Sequence, residues 1–257
     1  MVLKKSLWLL FTVYVVCESG FVENLGKCNI NHGECQKDLI QSVLKNISIN
    51  GIPELGIPIL DPMKLSDITV SVLNSFDITL VEGTVKGLKN CVIEKMVTNI
   101  KKEHSTMDVT CDLSIKGHYK VQASSPIIKD LIGAQSVRGD GNGRVKIEKI
   151  RMKFDFYFYI QKRNGELYVK CKANKIFYSY NVEKITFAAD NLYLGDQESS
   201  KFVIRLLNEN WRVIIEAFGK PFFDKAMEFM YIYVHKFVDE VPANNYLSDD
   251  FSIYAKD

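Results

Sequence analysis

The chain has 257 residues, 47% hydrophobic and 25% charged, with a formal net charge of +2. That hydrophobic share and near-neutral balance exclude an intrinsically disordered tail. They also exclude a strong whole-chain field of one sign, and with it a nucleic acid as the expected partner. The length suits a domain with a substantial buried core.

The N-terminus carries Lys4 and Lys5, then an apolar run from Leu7 to Val16 broken only by Thr12. A helix of ten such residues rises about 15 Å, half of a bilayer core. A basic start, a short apolar run and small residues form a secretory signal pattern, with cleavage after Cys17 or Ser19. Residues 1–19 are expected to leave a single domain over 20–257, with a formal charge of +1. No later apolar run is long enough to span a bilayer, so a secreted, extracellular product without stable membrane insertion is expected.

Removal of the signal leaves Cys28, Cys35, Cys91, Cys111 and Cys171. An oxidising compartment favours disulfides, and Cys28 with Cys35 is the natural pair. His32 lies between them, but a zinc site needs a fourth ligand at a spacing the sequence lacks, so no metal is expected. Cys91 and Cys111 fall on facing strands. A turn near Lys102–Ser105 is expected to offset them by several residues, so they are not paired. An odd count leaves at least one thiol unpaired or paired between chains.

Leu39, Ile40, Val43, Leu44 and Ile47 fall on one face of a 3.6-residue period and predict an amphipathic helix over 33–47. Asn46-Ile47-Ser48 is a glycosylation sequon, with Asn46 off that apolar face. Residues 51–62 hold Pro53, Pro58 and Pro62 and read as an extended connector. From Ser66 to about Leu194 the period is two. Met152, Phe154, Phe156, Phe158 and Ile160 face one way, and Arg151, Lys153, Asp155, Tyr157 and Tyr159 the other. Glycine- and asparagine-rich turns are expected at Val137–Gly143 and Arg163–Gly165, giving antiparallel hairpins with one apolar sheet face. In this reading Arg138-Gly139-Asp140-Gly141-Asn142-Gly143-Arg144 is a flexible hairpin loop, neither a dinucleotide fingerprint nor an adhesion motif.

From Ser199 to about Glu240 the period is helical. Val203, Leu206, Leu207, Asn210, Trp211, Ile214 and Phe218 form one stripe. Phe222, Ala226, Phe229, Met230, Tyr233 and Phe237 form a second, with Gly219 and Pro221 placed to kink one very long helix. The tail, about 243–257, is polar and expected to be loose. A long apolar helix needs cover along its length, which a curved sheet with one apolar face supplies. The fold class is therefore α+β, a strongly curved antiparallel sheet wrapped around one long, kinked C-terminal helix.

Catalytic signatures are missing from the sequence. The histidines 32, 104, 118 and 235 are scattered, and no nucleophile elbow, H-E-x-x-H or phosphate loop occurs. No enzyme activity and no cofactor are expected. An apolar interior suits either a packed core or a pocket for small molecules.

The sequence resembles the takeout and juvenile-hormone-binding protein family of insects over nearly the whole mature chain. The resemblance rests on Cys28 and Cys35 after a signal, then on Gly51-Ile52-Pro53-Glu54-Leu55-Gly56-Ile57-Pro58 leading to Asp61-Pro62-Met63. At the other end it rests on Leu207-Asn208-Glu209-Asn210-Trp211 and on Val241-Pro242. It implies a tubular lipid-binding fold and a secreted carrier of a small hydrophobic ligand, with some relatives linked to circadian output, feeding or chemosensation. Hormone-carrier members have a second disulfide from sheet to long helix. Cys171 matches its sheet half, but the helix here has no cysteine, which favours a takeout-like member and leaves the ligand open among terpenoid, fatty acid, quinone or other lipid. On this reading Phe154, Phe156 and Phe158 on the sheet and Val203, Leu207, Trp211, Ile214 and Phe218 on the helix are the expected ligand wall. The alternative is an extracellular interaction or signalling protein with a packed core and no small-molecule cargo; no receptor can be named from the sequence.

Overall fold

The structure is a computed structural model and describes residues 20–72, 76–123 and 136–256. The expected signal segment, 1–19, lies outside the described residues. Helix α1 spans Gly33–Asn50, three residues past the predicted end, and stops at Gly51 with φ 68°. Glycine is required there. A Cβ on Gly51 would stand 2.6 Å from the Ile57 carbonyl oxygen, because the chain turns back at once through a bridge between Ile52 and Ile57. The connector is therefore compact rather than extended, with a 3-10 turn over Pro53–Leu55. Ile52, Leu55 and Ile57 form a buried cluster with Val241. Asp61 closes the connector by accepting bonds from the backbone N–H groups of Gly87 and Lys89, each at 3.0 Å.

The strands are β1 (Met63–Val72), β2 (Phe76–Lys86), β3 (Val92–Asn99), β4 (His104–Ala123), β5 (Val137–Arg163), β6 (Glu166–Ala189), β7 (Leu192–Leu194), β8 (Gln197–Glu198) and β9 (Ala255–Lys256). Among the described residues they form one nine-stranded sheet. β5, with 27 residues, is its spine. It pairs antiparallel with β4 along one side and with β6 and β7 along the other. The period-two pattern across 66–194 is thus the pleat of an antiparallel sheet with one face inward.

Arg138–Arg144 is not a loop. It lies inside β5, in register with Lys116–Gln122 of β4. Gly139 and Gly143 face inward, where a Cβ would stand 3.0 and 3.2 Å from the Tyr119 ring. The glycines let an aromatic ring lie flat on the strand, and that close approach mimics a turn signature in sequence. The turn predicted at Arg163–Gly165 is present, with Asn164 and Gly165 at positive φ between β5 and β6.

The C-terminal helical run is three helices, not one: α2 (Ser200–Glu209), α3 (Trp211–Phe218) and α4 (Lys220–Glu240). Asn210 leaves helical geometry at φ −114°, ψ 18°, and its side-chain amide donates to the Leu206 carbonyl oxygen. Backbone bonds still cross both breaks, from Ile214 to Asn210 and from Phe223 to Gly219. The second stripe is rotated from the sequence reading. Phe223 is buried and Met227 and Met230 pack beside it, while Phe222 is 38% exposed and Ala226 is also exposed. Both outer strands, β1 and β6, pack against α4, so the sheet curls around the helices without closing on itself.

The tail is ordered rather than loose. Ala243, Leu247 and Phe251 are 0%, 8% and 2% exposed and join Ile30, Ile100, Phe158 and Ile160 in one cluster. Leu247 bridges Cys28, and β9 adds to β5 at Ile160 and Gln161. Glu103 accepts bonds from Lys172 and Lys256. Those two lysines hold its carboxyl below the usual carboxylate range. The N-terminal loop and the C-terminal tail together fill one end of the curled sheet.

Cys28 is bonded to Cys35. Cys91 is bonded to Cys111, against the sequence expectation. The turn falls earlier than expected, at Ile100–Lys102 with Asn99 opposite His104, and a further one-residue shift between Ile93 and Lys95 places Cys91 opposite Cys111 as the ladder runs out past Val92 and Thr110. Cys171 is the free thiol among the described residues.

Candidate functional site

The concave face of β4, β5 and β6 forms the inner wall. In register across it lie Met107, Phe154 and Tyr178, then Val109, Met152 and Tyr180, then Cys111, Ile150 and Val182. Phe223 of α4 sits over this surface, its ring 3.9 Å from that of Tyr180. The buried residues of these rows form the main cluster, with Tyr178, Tyr180 and Met107 packed against it. Such apolar burial contributes about 25 cal/mol per Å² removed from water.

The eight residues named from sequence fall into three groups. Phe154 and Phe156 stand at the main cluster together with Trp211. Phe158 does not join them. The β5–β6 register shifts between Phe156 and Phe158, and Phe158 belongs to the cluster built by the tail. It therefore fills the closed end instead of lining the same wall. Val203, Leu207, Ile214 and Phe218 are half-buried. By helical spacing Ile214 and Phe218 lie on the side of α3 that carries Trp211, and none of the four belongs to a buried cluster of the described residues. The helices thus carry apolar side chains that are incompletely covered.

The expected wall left out Tyr178, Tyr180, Phe187, Ile215, Met227 and Met230, although Met230 had a place in the second helical stripe. For Tyr178 and Tyr180 the signal was present: with Val182 they alternate at a period of two, as Met152 and Phe154 do, whereas Phe187 falls in the opposite parity. For Met227 and Met230 the helical phase is the one set by Phe223.

The seam between β6 and the helices is tied at three levels. Asn208 of α2 accepts from the Phe187 N–H at 2.7 Å and donates to the Phe187 carbonyl oxygen at 2.9 Å. Tyr178 donates to Asp224 Oδ1 at 2.5 Å, and Lys220 donates to both oxygens of Asp224. Lys170 pairs with Asp239. The hydrogen bonds from Lys220 and Tyr178 hold the Asp224 carboxyl below its ordinary value. Burial, then the bond to Asp224, pushes the Tyr178 hydroxyl up. Burial pushes the Cys171 thiol up to about 11, which keeps it protonated and unreactive. The wall is thus apolar surface edged by the Tyr178 hydroxyl and the tied seam to the helices.

This geometry is that of an α+β fold in which a curved sheet holds helices against its apolar face. The sequence profile of the haemolymph juvenile hormone binding protein family matches residues 7–248, and the chain belongs to that family. Among solved structures, Takeout 1 of Epiphyas postvittana is similar with a TM-score of 0.75 and 28% identity. The match covers 87% of this chain and 99% of that one. A lipopolysaccharide binding protein also aligns, at 8% identity and a TM-score of 0.29, over 68% of this chain and 35% of that one. No curated protein matches the sequence. No helix among the described residues is long and apolar enough to cross a membrane.

Proposed function

We propose that the protein is a secreted, takeout-like carrier that holds a small hydrophobic ligand, a terpenoid, fatty acid or similar lipid, between the helices and the concave face of the sheet. The observation that carries this reading is the stripe Val203, Leu207, Ile214 and Phe218. Its side chains are half-buried without belonging to a buried cluster of the described residues, next to Trp211 and Ile215, which pack on the main cluster. A solid core would pack such side chains fully. Family membership and the likeness to Takeout 1 support the same reading. Phe154, Phe156, Trp211 and that stripe form the wall, and Phe158 closes its end. Residues 1–19 are the signal peptide, and residues 20–257 are one domain. The carrier works in haemolymph or a similar fluid, serving circadian, feeding or chemosensory physiology. It performs no catalysis. Asn46 carries the glycan, attached before folding, because Ser48 of the sequon is completely buried in α1.

The test is native mass spectrometry with organic extraction of the purified secreted protein, alongside displacement of a fluorescent fatty-acid probe. A co-purified lipid or a displaceable probe is expected. Protein that is lipid-free and ignores such probes overturns the reading.

A further inference from the structure

The convex face carries a band of cations that the near-neutral composition conceals. Across adjacent strands the register runs Lys64, Thr84, Lys116, Arg144, Ala188 from β1 to β6. The neighbouring row runs Lys86, Ser114, Lys146, Thr186. Each of these side chains alternates with an inward residue such as Val85, Ile115, Val145 or Ile147, so all lie on the outer face. Lys64, Lys86, Lys116, Arg144 and Lys146 are exposed. Neither row contains a carboxylate. Among the described residues only Lys146 of the five has an ion-pair partner, Glu148 at 2.9 Å.

Like charges directly opposite each other across strands, as Lys116 and Arg144 are, destabilise a sheet. The next level of the same face is balanced, with Glu148 opposite Lys184 and Lys149 paired to Glu183 at 3.2 Å. The band is thus a local departure from a face that otherwise alternates its charges, and an anion bound from outside would offset its repulsion.

We propose that this band is a docking surface for a linear sulfated polysaccharide. The shape of the surface selects that class. The cations succeed one another across the strands, about 4.8 Å per strand, and so follow the convex curve of the sheet. A chain-like polyanion can follow that curve, whereas a planar bilayer touches it only along a line. Thr84 and Ser114 between the cations, and Thr186 and Ala188 at the β6 ends of the rows, offer no large apolar side chain to insert into lipid and no ring for a base to stack on. The band lies on the opposite face from the proposed ligand wall, so its occupation does not depend on the cargo.

Heparin is the probe. The full secreted chain should be retained on immobilised heparin at 0.15 M NaCl and released by added salt, since exposed charges are screened beyond about 8 Å at that ionic strength. Lys116→Ser with Arg144→Ser should raise the heparin Kd about tenfold or more. Lys64→Ser with Lys86→Ser should act in the same direction if the first variant folds poorly by circular dichroism. Lys149→Ser with Lys184→Ser removes the same charge from the balanced level and should change Kd by less than about threefold. Three results overturn the proposal: no retention of the wild type, equal losses in the band and balanced-level variants, or equal binding to duplex DNA or to phosphatidylcholine–phosphatidylserine vesicles at the same ionic strength.

Discussion

Asn208 offers the sharpest test of how the helices are held. β6 is an outer strand, so the N–H and C=O of Phe187 on its free side lack a neighbouring strand. Asn208 supplies both missing partners, at 2.7 and 2.9 Å. Asn208→Leu keeps the volume and removes both bonds. At about 0.5–1.5 kcal/mol net per bond, the loss is about 1–3 kcal/mol. For a domain of this size that lowers Tm by about 2–4 °C per kcal/mol. Asn208→Asp keeps one acceptor but aims a second carboxylate oxygen at the Phe187 carbonyl oxygen, so it should lose at least as much. The assay is urea unfolding followed by far-UV circular dichroism, with probe affinity measured at a denaturant-free point. An Asn208→Leu protein whose midpoint matches the wild type would refute the view that this amide docks α2 onto β6.

Phe223→Ala should cost about 3–5 kcal/mol in the same unfolding assay, because the ring is buried over Tyr180. Once residues 1–19 are removed, Trp211 is the only tryptophan, and it stands at the proposed wall. Its emission should shift when a lipid binds, and an unchanged spectrum at saturating ligand would count against the placement. Replacing Cys91 and Cys111 together by alanine should cost about 3 kcal/mol through the loop they close, read as a lower midpoint insensitive to reductant at that site. Cys171 should react with a thiol reagent at pH 8 only on unfolding, since burial pushes it to about 11. Asp224 sits below its ordinary value, so its contribution is full above about pH 4 and is lost as pH falls through the folded-state value. Asp224→Asn should flatten that acidic limb of the stability profile.

The α+β order, the inward face of β5 and the helical C-terminal third were legible because the periods of two and 3.6 are local properties of the chain. What was not legible depended on register or on contact between distant segments. A one-residue shift in β3 put Cys91 against Cys111. A shift between Phe156 and Phe158 moved Phe158 to a different cluster from Phe154. Glycines 139 and 143 read as a turn because the Tyr119 ring that explains them lies on another strand. Ala243, Leu247 and Phe251 recur every four residues, but so few apolar positions in a polar stretch looked loose until Cys28 and Ile160 were seen beside them. The Asn208 and Asp61 side chains were noted only as parts of a resemblance, and their work is to satisfy backbone groups far away in sequence.

The N-terminal disulfide loop and the tail also set an order of events. The Ile30 N–H donates to Asp249, 219 residues further along the chain, and Cys28 exchanges backbone bonds with Tyr246 and Ser248. A ribosome makes the two halves of that junction 219 residues apart. This end of the molecule therefore cannot be sealed until residues 246–249 have been made. A nascent chain that has completed every strand from β1 to β8 still lacks Ala243, Leu247 and Phe251, the side chains that fill this end.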